Sequence, residues 1–471
     1  MRILLIMPIV DRGQLWGKVR YGAGNNNFNY GLASIAAYLI KHGHVTEIID
    51  PQFMSSVEEL TIHMRRREYE VVGISAHTPT IMNAFFTAKV CRTALPEAVI
   101  VMGGPHCTYF PGETLKACPE LDYVISREGE DTLLQLVRML EAKRRAPEMI
   151  QGLTYRDDSD TKTNPPPPFL DVNELPPPAY HLFPFRKYSL QPTIYKRLPT
   201  VTTMISRGCP FSCSFCHGFE TLGRKMRYRD VDLIIEELQI LIKDYGARGF
   251  MFYDSTFTLN QHWVMNFCEE ILRRKLGFTW MCLTRSDCVT PDLLSLMRRA
   301  GCWGISFGVE SGNQKSLDLL KKNTTIEDNR RAISIAKNMG IYVTATYMIA
   351  LPGEDEKDAL RTIEFARNNS THIAHFFWPV PYPKTLFYEQ CKEDGGLMGK
   401  SGWENYNLYA EEPVYINPRI GYARMRQLQR YAIRSYYTSW KVLQMNLKSI
   451  TTWTDVCKYS KAALAVAGNF I

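Results

Sequence analysis

Long hydrophobic runs are missing from this 471-residue sequence. No apolar stretch reaches the roughly 18 residues that a transmembrane helix needs, and the opening MRILLIMPIV runs directly into charged residues, unlike an export signal. Twelve cysteines without an export signal argue for reduced thiols rather than a disulfide scaffold. We predict a cytoplasmic protein, and its length favours two or three domains over one core.

Acidic residues are scarce in the last part of the chain. Between Arg419 and Ile471 there are nine Lys or Arg residues and one acid, Asp455, so this segment carries the whole net charge of +8. One interpretation is a solvated helical face, and the other is a surface for an anionic partner such as lipid headgroups. Peripheral membrane contact through this basic tail is therefore an alternative to a purely cytoplasmic location.

The first 145 residues alternate short, continuous apolar runs with helical patterns. The runs RILLIMPI, VTEIID, VVGISAH, AVIVMGG and DYVISRE are typical of buried parallel strands. Between the first two runs, GLASIAAYLIKHG has apolar residues at helical spacing and a glycine stop. This alternation predicts a doubly wound parallel sheet, which binds ligands beyond the carboxyl ends of its strands.

Proline is concentrated between the two halves of the chain, with PPPP at 165–168 and PPP at 176–178. Such a stretch neither propagates a helix nor fills the interior of a sheet. The predicted organisation is a first domain over 1–145, a Pro-rich linker over 146–196, a second α/β domain over 197–395 and a mainly helical, basic carboxyl-terminal extension over 396–471.

Six further strand-like runs follow the linker, namely VTTMISR, GFMFYDS, TWMCLTRSD, WGISFGVES, VTATYMIAL and HIAHFFWPV. Helical patterns separate them, and Thr325 with Asp328 has the spacing of a capping box for one of these helices. Six β/α units make three quarters of a (β/α)8 barrel. The sequence therefore predicts a (β/α)6 partial TIM barrel with its chemistry at the carboxyl ends of the strands.

Three cysteines share one loop directly after the first barrel strand, at positions Cys209, Cys213 and Cys216 of RGCPFSCSFCH. Soft thiolates select zinc or an iron–sulfur cluster. A structural zinc ion needs a fourth ligand, usually from a second C-x2-C knuckle, which this sequence lacks. His217 is too close to Cys216 to be an easy fourth ligand. We predict a [4Fe–4S] cluster with one open iron, with zinc or no metal as the alternatives.

The motif CPFSCSFC, after a strand and at the head of a partial barrel, resembles the signature of the radical S-adenosylmethionine (SAM) superfamily. The resemblance implies that the open iron binds the amino and carboxylate groups of SAM. It continues along the barrel in MFYDSTFTLN, TRSD, FGVESGNQKSLD and YMIALPGED. The SAM contacts that it implies are Asp254, Ser255, Thr256, Arg285, Glu310, Ser311 and Ala350. Two residues, Ala350 and Lys384, stand where relatives often have glycine.

The amino-terminal half resembles the cobalamin (B12)-binding, Rossmann-like domain that precedes the barrel in one branch of this superfamily. GISAHTPT, GGPHCTYFPGET and REGED carry the resemblance, because small residues there let a corrin approach the backbone closely. The cobalamin contacts that it implies are Ser75, Thr78, Gly103, Gly104, His106, Gly129 and Glu130.

One motif of cobalt-ligating cobalamin domains is absent. The first loop reads VDRGQLWG and has no Asp-x-His-x-x-Gly sequence. The resemblance therefore implies cobalamin with no histidine on the cobalt. The alternative is a domain that has kept its fold and lost its corrinoid.

Together the resemblances imply a cobalamin-dependent radical SAM enzyme, most simply a C-methyltransferase. It would act on an unactivated carbon through a 5′-deoxyadenosyl radical and methylcobalamin. The aromatic run HFFWPVPYP and the basic tail favour a hydrophobic small-molecule substrate, such as a lipid, isoprenoid, tetrapyrrole or natural product. An external electron donor of the flavodoxin or ferredoxin type is the expected partner, and no nucleic acid is expected.

Two other functions remain open at this point. One is a non-methylating radical SAM enzyme, either an oxidative cyclase or a carbon–carbon bond-forming enzyme. The other is a binding or scaffold protein whose cluster is structural. A tRNA methylthiotransferase is disfavoured, because it would want three further cysteines near the strand ends of the first domain and an RNA-binding barrel at the carboxyl terminus.

Overall fold

The computed structural model describes residues 1–10, 28–158, 160–188, 190, 192–399, 402–408, 410, 412–450, 455–456 and 460. From Asp11 on, the first loop lies outside these residues, and so does part of the basic tail. In the described part of the chain, no helix is both long enough and apolar enough to cross a membrane.

Seven strands form the amino-terminal sheet, with bounds β1 Arg2–Ile6, β2 Val45–Ile49, β3 Val71–Ser75, β4 Val99–Gly103, β5 Tyr123–Ile125, β6 Leu153–Asp157 and β7 Asp160–Thr163. Their order across the sheet is β2-β1-β3-β4-β5-β6-β7. The first five strands run parallel, as predicted. Helices cover both faces of these strands, which explains why their sequences are continuous apolar runs.

The described helices of this unit are α1 Tyr30–Lys41, α2 Val57–Arg65, α3 Ile81–Ala94, α4 Pro105–Tyr109, α5 Pro111–Ala117 and α6 Gly129–Glu141. On one face of the sheet, Leu32 of α1 and Leu133 of α6 belong to one hydrophobic core. On the other face, Leu60 of α2 and Ile81 of α3 belong to a second core. The two cores confirm the predicted doubly wound arrangement.

The predicted linker over 146–196 contains structure that its composition did not indicate. β6 pairs antiparallel with β5, and β7 pairs antiparallel with β6, so the first sheet continues past the predicted boundary at residue 145. The physical reason is that the proline run begins only at Pro165, which leaves the backbone donors of this hairpin free to pair. After the prolines, Tyr180 and Phe183 are buried and pack against Phe28, Tyr180 edge-on and Phe183 at a tilt.

The second unit contains six parallel strands, β8 Thr200–Thr203, β11 Gly249–Phe252, β12 Thr279–Thr284, β13 Cys302–Glu310, β14 Tyr342–Met348 and β15 Ile373–Phe377. They neighbour one another in this order. A small antiparallel ribbon of β9 Ser206–Arg207 and β10 Arg227–Tyr228 stands beside them. The six parallel strands confirm the predicted (β/α)6 partial barrel.

Helices alternate with the barrel strands, with bounds α7 Gly218–Leu222, α8 Val231–Tyr245, α9 Gln261–Arg273, α10 Pro291–Arg299, α11 Gln314–Leu319, α12 Ile326–Asn338, α13 Glu356–Asn368 and α14 Leu386–Glu393. Local signals fix their ends. The capping box predicted for α12 is present, since Thr325 accepts from the Asp328 amide at 3.0 Å and the Asp328 carboxylate accepts from the Thr325 amide at 3.0 Å. α8 ends at Gly246 in the left-handed conformation.

The carboxyl-terminal extension is mainly helical, as predicted, with α15 Tyr422–Tyr437 and α16 Trp440–Lys448. α15 packs against the last barrel strand. The Tyr436 hydroxyl accepts from the Thr371 amide at 2.7 Å, and the Asn417 side chain donates to the carbonyl of Leu351 at 2.7 Å. The extension therefore supports the loop that follows the fifth barrel strand.

Candidate active site

The cysteine loop leaves the end of the first barrel strand and returns through the small ribbon of β9 and β10. Gly208 starts the loop at φ +108°, and a Cβ there would lie 2.3 Å from the Lys225 carbonyl oxygen, so only glycine allows the two ends of the loop to approach. Asp254, at the end of the second barrel strand, hydrogen-bonds to the backbone just before this loop. Its carboxylate accepts from the Ser206 amide at 2.6 Å and from the Ile205 amide at 3.1 Å.

The three thiols of this loop are free and partly exposed. Cys213 Sγ lies 3.8 Å from Arg285 Nη1, and Cys216 Sγ accepts from the Gly218 amide at 3.3 Å. Burial raises the pKa of both thiols, and the charges of Lys322 and Arg285 oppose that rise at Cys213. Cations beside thiol ligands fit the negative charge that three thiolates bring to a cluster.

A single metal ion finds less support. Among the described residues, no three His, Cys, Asp or Glu side chains are arranged to hold one ion. The zinc alternative needs four ligands within about 2.3 Å of one ion. His217 does not supply such a ligand, because its Nε2 lies 3.0 Å from the carbonyl oxygen of Pro383.

Arg285 lies between the cysteine loop and the barrel. Its guanidinium carbon stands 3.6 Å from the centre of the Phe211 ring, inside the cysteine motif. The same group donates to Asp287 at 2.8 and 2.9 Å and to the carbonyl of Lys322 at 2.6 Å. Arg285 therefore contacts the loop of Cys213 in the structure, and its contact with SAM stays a prediction.

Glu310 and Lys322 form a buried ion pair at 2.9 Å beside the cysteine loop. Glu310 adopts a left-handed φ of 65° where the strand register shifts. A Cβ at Gly308 would lie 2.5 Å from Glu310 Oε1 and 2.8 Å from Lys322 Nζ, so this glycine makes room for the pair. Lys322 carries no motif signal, and sequence analysis missed it. The contact of Glu310 with SAM stays a prediction, and the residue is paired with Lys322 in the structure.

The other predicted SAM residues differ in accessibility. Ser255 is exposed, whereas Thr256 is buried and donates to the Ser255 carbonyl at 2.8 Å. Ser311 is fully buried, and its hydroxyl lies 3.0 Å from that of Thr362 on α13. The Ser311 hydroxyl thus faces a barrel helix, so Ser255 is better placed than Ser311 to meet a ligand.

Ala350, directly after the fifth strand, has a left-handed φ of 64° and no exposed surface. Because a Cβ is unfavourable there by roughly 1 kcal/mol, we expect Ala350→Gly to lower the free energy of unfolding by about 1 kcal/mol less than the same substitution in extended backbone does. Urea unfolding measures it. Ala345→Gly in β14 is the matched control, since it removes an equally buried methyl from extended backbone and should lower stability. Equal losses in both variants would contradict the left-handed assignment.

Glu354 binds the backbone of the loop that contains Ala350. It is 3% exposed and accepts from the Leu351 amide at 2.9 Å. Burial raises its pKa from 4.5 to about 7. Because its pKa is raised in the folded state, Glu354 keeps a proton in the folded protein that it releases in the unfolded chain. The free energy of unfolding of the wild type, relative to Glu354→Gln, should therefore fall as the pH rises from about 4.5 to about 7. Urea unfolding at both ends of this window tests it, with exposed Glu327→Gln as control. A constant difference would contradict it.

The predicted cobalamin residues gather at the carboxyl ends of β3, β4 and β5. Ser75 pairs with Gly103 across two neighbouring strands. Gly104 has φ +108°, and a Cβ there would lie 2.6 Å from the Ala76 carbonyl oxygen. Gly129 begins α6 after β5. A Cβ at Gly129 would lie 3.1 Å from the Ile35 side chain, so these glycines let neighbouring segments pack closely, and the corrin contact that the resemblance implies stays a prediction.

His106 is buried beside Thr78, whose hydroxyl lies 3.2 Å from its Nδ1. Its ring packs 5.0 Å from that of Phe110 and 5.0 Å from that of Trp403 in the extension. Burial lowers the pKa of His106 to about 4, so the imidazole is neutral near pH 7. Packed in this way, His106 supports the edge of the sheet rather than presenting a free ligand to cobalt.

Glu130 has a different environment from the other predicted cobalamin residues. Its carboxylate accepts from Arg207 at 2.7 Å and from Ser34 at 2.7 Å. The neighbouring Glu128 accepts from Arg207 at 3.2 Å and from Arg227 at 2.7 Å. These four charges, buried Glu128, Glu130 and Arg207 and partly buried Arg227, are called the interdomain ion cluster below. It ties the REGED loop of the first unit to the two strands that bound the cysteine loop.

The other end of the cysteine motif also meets the first unit. The His217 ring stacks on Tyr109 of α4 with centroids 3.6 Å apart, and the Tyr109 hydroxyl donates to the His217 carbonyl at 2.8 Å. Lys384 donates to the Tyr109 carbonyl and pairs with Glu113 at 3.2 Å. The cobalamin-type unit therefore contacts the chain two residues before the first thiol, at Arg207, and directly after the last, at His217.

Comparison with known proteins agrees with this architecture. Residues 203–366 match the radical SAM superfamily, and residues 21–137 match the B12 binding domain. An uncharacterised methyltransferase of Pyrococcus horikoshii is 30% identical over 449 residues, which cover 94% of each chain. The chain belongs to the radical SAM superfamily. This membership confirms the predicted family, a radical SAM enzyme with a B12-binding unit ahead of its barrel, and the expected cofactor set of [4Fe–4S] cluster, SAM and cobalamin.

Other similar proteins extend the comparison. An anaerobic magnesium-protoporphyrin IX monomethyl ester cyclase of Rubrivivax gelatinosus is 31% identical over 80% of this chain and 68% of its own. The solved structure of OxsB with aqua-cobalamin and SAM has a TM-score of 0.73 at 17% identity, covering 100% of this chain and 72% of that one. TsrM of Kitasatospora setae has a TM-score of 0.68 at 17% identity, over 85% and 79%. Both structures confirm the fold.

Proposed function

We propose that this radical SAM enzyme is a C-methyltransferase that uses cobalamin to methylate an unactivated carbon of a hydrophobic small molecule. The observation that carries the proposal is the attachment of the cysteine motif to the B12-binding unit at both of its ends. Such a double attachment suits a reaction that needs both cofactors at a fixed separation. The full-length relative from Pyrococcus horikoshii, named as a methyltransferase, supports the same assignment.

One group of residues would bind the two cofactors, and a second group would fix the distance between them. Cys209, Cys213 and Cys216 would bind the cluster, with Arg285 and Lys322 balancing its charge. The glycine-rich edge of β4 and β5 would receive the corrin. The interdomain ion cluster and the stack of Tyr109 on His217 would fix the distance between them.

The cofactors would supply the chemistry that side chains cannot, namely single-electron cleavage of SAM and transport of a methyl group. In the proposed balance, two SAM molecules and two electrons convert R–H to R–CH3. The products are methionine, S-adenosylhomocysteine and 5′-deoxyadenosine. The 5′-deoxyadenosine carries the hydrogen removed from the substrate. The two electrons call for an external donor, and the flavodoxin or ferredoxin type stays our proposal for it.

A hydrophobic substrate fits the inner face of the barrel. Met281 and Ile373 belong to one apolar cluster, against which Leu283 packs, separate from the core cluster that the barrel helices share. The alternation of β15 then places His375 and Phe377 on the same face as Ile373, and their rings stack 5.6 Å apart. Both side chains are only partly buried. An aromatic wall of this kind favours a lipid, isoprenoid or tetrapyrrole over a strongly polar substrate.

The ratio of two SAM products tests the proposal. We would incubate the reconstituted protein anaerobically with cobalamin, SAM, a chemical reductant and a panel of hydrophobic substrates, and quantify S-adenosylhomocysteine and 5′-deoxyadenosine. Methyl transfer predicts equal amounts of both, together with a substrate that gains one CH2. Substrate-dependent 5′-deoxyadenosine without S-adenosylhomocysteine or added CH2 would contradict it.

A specific observation favours a second candidate, an oxidative cyclase or a related non-methylating enzyme. Three relatives, from Rubrivivax, Cereibacter and Synechocystis, are anaerobic magnesium-protoporphyrin IX monomethyl ester cyclases. A cyclase would consume SAM to 5′-deoxyadenosine and oxidise the substrate without adding carbon. The same product ratio therefore separates the two candidates.

The cellular location belongs to the proposal as well. We place the enzyme in the cytoplasm, and the basic tail offers peripheral contact with an anionic membrane as the alternative. Part of the cationic surface of α15 is used within the protein, since Arg424 pairs with Glu356 of α13.

A further inference from the structure

A cavity of about 890 Å³ opens at the opposite end of the barrel from the cysteine loop. Its walls come from the first residues of the strands: Thr279 begins β12, Tyr342 begins β14, and His372 directly precedes β15. One side is closed by α16, through Lys441 and Lys448. In size the cavity falls within the range of small-molecule sites. Its position separates it from the proposed SAM and cobalamin sites.

The lining of this cavity is strongly cationic. Six basic residues contribute to it: Lys196, Arg197, Arg298, Lys337, Lys441 and Lys448. Among the described lining residues, Asp455 is the one carboxylate, and it pairs with Lys196 at 3.3 Å. The other five cations therefore have no acidic counterpart within the described wall.

Helix dipoles favour a positive charge at only three of these six positions. Arg298 and Lys337 lie in the last turns of α10 and α12, and Lys448 ends α16, where positive charge is favourable. Lys441 is the second residue of α16, at the positive end of its dipole, where a cation is unfavourable. Lys196 and Arg197 precede β8 in a loop. The positive charges of Lys441, Lys196 and Arg197 therefore do not stabilise a helix.

We propose that this cavity binds a phosphate-bearing anion. A group with several negative charges matches several cations at once, which a single carboxylate does not. The planar guanidinium groups of Arg197 and Arg298 suit phosphate oxygens. Burial lowers the pKa of Lys337, and the charge of Lys441 lowers it further, a repulsion that a bound anion relieves.

The floor of the cavity is aromatic and suits an organic part of the ligand. Trp303 packs 5.4 Å from Tyr342, and the Tyr342 ring stacks on His372 at 4.3 Å. The ligand class is therefore a phosphate group carried by a small organic molecule or by a lipid. The concave shape admits either source, so the experiment must distinguish them.

Binding to the full-length, cluster-reconstituted protein tests the inference without any turnover. Inorganic pyrophosphate is the soluble probe, measured by isothermal titration calorimetry at low and high salt. Vesicles of phosphatidylcholine with and without phosphatidic acid are the lipid probe, measured by co-sedimentation. The test variant is Lys441→Gln with Lys448→Gln, both exposed on α16. The control is Lys315→Gln with Lys357→Gln, an equal loss of charge at exposed positions outside the cavity.

Wild type and control should bind pyrophosphate saturably, and the α16 variant about tenfold more weakly, because two attractive charges are lost. High salt should weaken the wild-type binding. Sedimentation with phosphatidic acid that is lost only in the α16 variant would support the site and assign its source to a lipid headgroup. No saturable binding to either probe, or equal binding by the two double variants, would overturn the proposal.

Discussion

Replacing Cys213 by alanine should reduce iron from about four atoms per chain to less than about one and abolish the reductive cleavage of SAM. The reason is that three thiolates from one loop leave no spare ligand. Cys213 also lies 3.8 Å from Arg285, so its loss leaves that cation without the negative charge it faces. Iron analysis and the yield of 5′-deoxyadenosine measure the effect.

The stability of the same variant separates a lost ligand from a misfolded loop. Cys213 is partly exposed, so Cys213→Ala should change the free energy of unfolding of the iron-free protein by less than about 1 kcal/mol. The control is Cys118→Ala, which removes a buried thiol from the first unit. It should keep its iron. Iron retained by Cys213→Ala at the wild-type level would contradict the cluster assignment.

Replacing Arg207 by methionine should lower the free energy of unfolding by about 3–5 kcal/mol. The Arg207 side chain is 10% exposed, and its partners Glu128 and Glu130 are 5% and 4% exposed. Removal of the guanidinium leaves the Glu130 carboxylate buried without its cation, while Glu128 keeps Arg227. Urea unfolding measures the loss, and iron content reports whether the cysteine loop still forms.

A second substitution shows whether the loss comes from the unpaired charge. Arg207→Met with Glu130→Gln removes that charge and should recover part of the lost stability. Arg331→Met is the control, because it breaks an exposed ion pair with Asp328 and should cost less than about 1 kcal/mol. Arg207→Lys keeps a charge at the position and covers the case in which Arg207→Met does not fold. A loss no larger than that of Arg331→Met would contradict the role of the interdomain ion cluster.

The strands and the larger helices were predictable because their signals are local. Continuous apolar runs gave both parallel sheets, and the capping box of Thr325 with Asp328 gave the start of α12. The hairpin of β6 and β7 was missed because it is short and polar and lies just ahead of a proline run. Its place in the sheet depends on pairing with β5, which no local pattern records.

The partners of the charged site residues were not predictable from local sequence. Glu130 meets Arg207 across 77 positions of the chain, and Asp254 reaches Ser206 across 48. Both carboxylates are committed to backbone or arginine groups that only the folded structure brings near. Lys322 was missed for the same reason, since its pairing with Glu310 depends on a register shift in β13. Ala350 and Lys384, which stand at expected glycine positions, do adopt the left-handed backbone that glycine favours.

In our proposal one chain holds both an iron–sulfur cluster and a corrin. The most direct measurement is the content of iron and extracted cobalamin per chain, after anaerobic purification with cobalamin supplied and reconstitution of the cluster. We predict about four irons and about one cobalamin. Four irons without cobalamin would contradict the methyltransferase assignment and leave a radical SAM enzyme of another reaction type.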